Sequence, residues 1–150
     1  MSEAEYNHAL DQIVKYLTVR GIECNLHSNT FAYYPDDDRI TCAVNAQGTY
    51  SMICGLLHEA GHAIQSRSQF TKLRKSRKRN IAIIIEQEYK AWESGWIIAQ
   101  QLSICTDALY TEYLRSWMNS WSRYIEQISE NCTDQEYINR VESCYKLHGI

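Results

Sequence analysis

The stretch His58-Glu59-Ala60-Gly61-His62 constrains the fold more than any other part of the chain. Two imidazoles four residues apart reach one ion only on an α-helix, where positions i and i+4 lie one turn apart on the same face and Glu59 flanks them. A catalytic metal usually takes three protein ligands and leaves a position for water, so a second element has to bring the third ligand to this helix. Residues 49–66 carry the matching helical pattern, with Ile53, Leu57, Ala60, Gly61 and Ile64 as an apolar stripe beside the histidines. Gly61 costs a helix interior about 1 kcal/mol against Ala, and its place between the ligands marks where another element approaches closely.

The remaining chain supplies partners for that helix. Tyr6, Leu10, Ile13 and Leu17 recur at helical spacing, Ser2 and Glu5 form a capping box at the head, and Gly21 ends the run. Three short β-branched and aromatic segments follow at 22–27, 30–34 and 39–44. Pro35-Asp36-Asp37-Asp38 is turn chemistry that joins the last two as a hairpin. Further helices are expected at about 81–104, then from a cap at Thr106 or Asp107 with the stripe Leu109, Tyr113, Trp117, Trp121, Tyr124 and Ile128, and finally from a capping box of Thr133 and Glu136 to about Leu147. The aromatic stripe is read as core packing rather than a partner surface. Helix, strands, motif helix and then helices alone make an α+β layout with a small antiparallel or mixed three-stranded sheet. At 150 residues the chain is sized for one domain, with residues 1–104 as a core and 105–150 as a helical extension packed on it.

Only His148 lies downstream of His62, so the third ligand is sought among carboxylates. The helix at 81–104 offers Glu86, Glu88 and Glu93. Glu88 shares the apolar face of Ile81, Ile84, Ile85, Ala91, Trp92, Gly95 and Ile98, where an uncompensated carboxylate is costly. Glu86 and Glu93 flank Lys90 at the spacing of surface ion pairs. Phase thus nominates Glu88, with Glu86 and Glu93 as alternatives.

His58-Glu59-Ala60-Gly61-His62, followed after 26 residues by Glu88-Tyr89-Lys90-Ala91-Trp92, resembles the gluzincin type of zinc metallopeptidase, most closely the ImmA/IrrE-like group and small phage and bacterial HExxH proteins. The likeness spans roughly residues 6–101 in layout but only about ten positions in residue identity. The chain departs from the group's pattern at Tyr89, where a small residue is usual, and at Trp92-Glu93, where Phe-Ala is usual. The resemblance implies a minimal zincin-like fold with Zn2+ held by His58, His62 and Glu88. It further implies that Glu59 is the general base and that the substrate is a specific intracellular protein or peptide. The strand at 39–44 is expected to serve as an edge on which an extended substrate pairs, so that Pro at Ala43 would weaken cleavage. A zinc-stabilised regulatory or binding module is the alternative reading.

Other features carry less chemistry. Lys72-Leu73-Arg74-Lys75-Ser76-Arg77-Lys78-Arg79 places six cations in eight residues and leaves the rest of the chain at −9 against a total of −3. With no aromatic interleaved to stack bases, the run reads as a solvated loop before it reads as a nucleic-acid site. Met1-Ser2-Glu3-Ala4-Glu5 lacks the basic start and apolar run of an export signal, and no apolar stretch approaches the roughly 20 residues that span a bilayer. The expectation is a cytoplasmic chain whose six cysteines are reduced, free and structural. Asp36-Asp37-Asp38 lacks the spacing and terminal Glu of a calcium loop.

Overall fold

The computed structural model describes residues 1–65 and 81–131. The basic run at 72–79, the expected last helix and Cys132 and Cys144 lie outside the described residues.

The fold is α+β. Helix α1 (Glu3–Val19) is followed by strands β1 (Glu23–Ser28), β2 (Ala32–Tyr34) and β3 (Arg39–Ala43), a single 3-10 turn at Val44–Ala46, then helices α2 (Tyr50–Ile64), α3 (Ile81–Gln101) and α4 (Asp107–Asn131). Each start has a local cause. The Ser2 hydroxyl accepts the Glu5 N–H at 3.1 Å at the head of α1, and the Thr106 hydroxyl, not Asp107, accepts the Leu109 N–H at 3.1 Å at the head of α4. Gly21, at φ +76, takes the left-handed conformation that releases the chain from α1 into β1.

The sheet is mixed, in the order β1-β3-β2. β2 and β3 form the expected antiparallel hairpin, with Tyr33 opposite Ile40, and the turn is tied by Tyr33 donating its hydroxyl to Asp38 at 2.8 Å. β1 lies parallel to β3 on its other side, with Cys24 opposite Ile40. β3 is therefore the central strand, and the expectation that residues 39–44 form a substrate-pairing edge is incorrect: both flanks of β3 are already hydrogen-bonded. The physical reason is visible in composition. Ile40, Thr41, Cys42 and Ala43 are all buried, as a strand covered on both faces requires, whereas β1 alternates exposed Glu23, Asn25 and His27 with half-buried neighbours.

α2 is the hub of the molecule. Met52, Ile53, Cys54, Leu56, Leu57, Ala60 and Ala63 are buried, so it is covered by the sheet on one side and by α3 and α4 on others, and the stripe read from the sequence was too narrow. Ile64, expected in that stripe, is instead exposed. Leu109, Tyr113, Trp117 and Trp121 of α4 are buried in the same cluster as Ile13, Leu17 and Ile40, which makes this part of α4 core. Of the six cysteines, Cys24, Cys42, Cys54 and Cys105 are described, and all four are free. Burial, aided by Cys24 and Glu59, pushes the Cys42 thiol up to about 12, so it packs as a small apolar group.

Candidate metal centre

Two backbone approaches set the geometry of the site. A Cβ at Gly61 of α2 would overlap the Ala91 carbonyl of α3, and a Cβ at Gly95 of α3 would overlap the Leu57 carbonyl of α2. The glycines thus interlock, and the two helices cross with backbone against backbone immediately beside the histidines. The Gln65 side-chain amide, just past the end of α2, donates to the Gln87 carbonyl at 3.1 Å and ties the helices together next to Glu88.

This crossing brings Glu88 to the histidines. Its Oε2 lies 2.8 Å from His58 Nε2 and 3.1 Å from His62 Nε2. One ligand atom from each of the three residues falls within 4.8 Å of the others, the grouping expected of metal ligands. Tetrahedral zinc with bonds of about 2.0–2.1 Å needs ligand atoms about 3.3 Å apart, so the measured pairs require only a few tenths of an ångström of spreading. The donor set of two imidazole nitrogens and one carboxylate oxygen also suits that ion. Glu86 and Glu93 are not part of the cluster. Glu86 pairs with Lys90 at 3.4 Å and Glu93 accepts from the Tyr89 hydroxyl at 3.2 Å, both at the exposed surface of α3.

Electrostatics within the cluster are strong. Burial alone pushes the Glu88 carboxyl up, but hydrogen bonds from His58 and His62, together with their charges, outweigh it and hold the group well below the usual carboxylate range. Glu88 is thus an anion in a buried place, compensated by the groups that also share its ligand geometry. Glu59, next to His58 on α2, is buried, at 7% exposed.

An aromatic wall backs the cluster. The Trp92 indole, one turn after Glu88, stacks on the His58 ring with centroids 4.1 Å apart and planes at 21°. Tyr113 meets Trp92 edge-on at 5.1 Å and donates its hydroxyl to the Trp92 carbonyl. Burial raises the Tyr113 pKa well above its ordinary value and keeps that hydroxyl a donor. The sequence places Trp92 on the Glu88 face at i+4 as a packing residue, and nothing in it marks Gly95 as the partner of Gly61.

No protein-family model, curated protein or solved structure matches the chain. No helix among the described residues is long and apolar enough to cross a membrane.

Proposed function

We propose that the chain is a zinc-dependent peptidase that hydrolyses a peptide bond of a specific protein substrate. The observation that carries this reading is the convergence of His58, His62 and Glu88 on one point, with Glu59 adjacent on the same helix. His58, His62 and Glu88 would hold the ion, which supplies Lewis acidity toward a substrate carbonyl and toward water. Glu59 takes the proton of the attacking water and delivers it to the leaving amine nitrogen, the role for which a carboxylate beside the ligands is suited. With β3 internal to the sheet, the strand edge on the α2 side is β2, whose approach is fixed by Phe31 packing on Gly55; an extended substrate would pair there. A cytoplasmic setting and the gluzincin resemblance belong to the same proposal.

The cluster's burial favours one other reading, a zinc-stabilised regulatory module, because side chains only 7–12% exposed resemble a closed structural site. Metal exchange separates the two. Protein stripped by a chelator and incubated with a whole-cell lysate is expected to generate no new protein termini, and reloading with zinc is expected to restore a discrete set of cleavages detected by terminal-peptide mass spectrometry. Zinc that binds and stabilises the fold yet yields no cleavage of any protein would reject the peptidase.

A further inference from the structure

His58 is held differently from a typical metal-binding histidine. Such a residue ordinarily donates its second ring nitrogen to a carboxylate, carbonyl or water, which fixes both tautomer and ring orientation. His58 Nδ1 is buried and has no hydrogen-bond partner among the described residues. What meets the ring instead is the Trp92 indole, stacked on it at 4.1 Å and 21°.

Trp92 is itself fixed from three directions. Tyr113 packs edge-on against it and bonds its carbonyl, Trp117 lies parallel at 6.4 Å with planes at 10°, and Ala91 on its N-terminal side is pressed against Gly61. The Trp92 Nε1–H is also buried without a partner among the described residues, so a hydrogen bond from the indole to any of them does not explain why this large ring is there. Its face does, since it covers the His58 imidazole, whose second nitrogen has no hydrogen bond to fix the ring.

We propose that Trp92 is a positioning residue that orients the His58 imidazole by stacking, in the role a hydrogen bond to Nδ1 normally fills. The stack restricts rotation of the His58 ring about its Cβ–Cγ bond and keeps Nε2 directed at the point shared with His62 and Glu88. The ring is then pre-organised before any ion arrives. An imidazole coordinated to a cation is electron-poor, so the electron-rich indole face favours the loaded state as well. This inference rests on His58 being a metal ligand.

The test is zinc affinity, measured by competition with a chromogenic chelator, on wild type and on the variants Trp92→Phe and Trp92→Leu. Trp92→Phe keeps a ring face and is expected to bind within about threefold of wild type, whereas Trp92→Leu keeps apolar bulk without a face and is expected to bind about 10- to 100-fold more weakly. Thermal unfolding of the metal-free proteins accompanies the titration. A purely packing role would lower both melting temperatures and leave the affinity of folded Trp92→Leu equal to that of Trp92→Phe, and that equality would overturn the proposal. Should Trp92→Leu not fold, the wild type decides by nuclear magnetic resonance: His58 ring protons are expected upfield of those of His62 through the indole ring current, and coincident shifts would overturn it. If wild type itself binds no zinc, the metal-centre reading fails; if wild type binds and the two variants match, only the role of Trp92 fails.

Discussion

Gly61→Ala is expected to destabilise the protein by about 3 kcal/mol and to weaken zinc binding at least tenfold, although it adds a single methyl group. Helix propensity argues the other way, since Ala is favoured over Gly in a helix interior by about 1 kcal/mol. The crossing decides. The new Cβ would meet the Ala91 carbonyl oxygen and carbon and the Gly95 nitrogen of α3, all backbone atoms that no rotamer change can move aside. Relief requires α2 and α3 to separate, and His58 and His62 ride on one helix while Glu88 rides on the other. Denaturant unfolding of the metal-free protein reads the first effect and chelator competition the second. A variant as stable as wild type would show that the helices do not cross in contact at this point.

Glu59→Gln is expected to retain zinc within a few-fold of wild type while lowering the hydrolysis rate by about 10²- to 10⁴-fold. The exchange is isosteric and replaces the proton-accepting carboxylate with a neutral amide that cannot serve as a base. Zinc retention follows because the three converging atoms belong to His58, His62 and Glu88. Turnover of a substrate identified by terminal-peptide analysis, measured beside zinc content, checks the prediction. Undiminished turnover would remove Glu59 as the base, and loss of zinc would mean that its carboxylate supports the centre directly.

Much of the candidate site is legible in the sequence because its requirements are local. The i, i+4 spacing of His58 and His62 specifies a helix, and a glutamate on an apolar helical face has to be compensated by something. Glu88 meets both histidines as its phase required, and Glu86 with Lys90 forms the surface pair that the same phase assigned. The capping serine and the Asp-rich hairpin turn were legible for the same reason, since each is settled within a few residues.

What was missed depends on contacts between distant segments. Strand order is one: the hairpin fixes which strand follows which, but not that β1 returns to the far side of β3. The near-continuous apolar run from Ile40 to Val44, against the polar-apolar alternation of Glu23 to His27, is a usable signal for it. The glycine crossing is another, because Gly61 advertised a close approach without naming Ala91 and Gly95 as what approaches. Trp92 is the third. Its place one turn after Glu88 put it on the right face, but only the crossing of α2 and α3 lays its ring on His58.

X-ray absorption at the zinc edge of the loaded protein reads the identity of the ligands directly. Two imidazoles and two further oxygen or nitrogen neighbours at about 2.0–2.1 Å are expected, with no sulfur in the shell. One imidazole or none, or a sulfur neighbour at about 2.3 Å, would contradict a centre built from His58, His62 and Glu88.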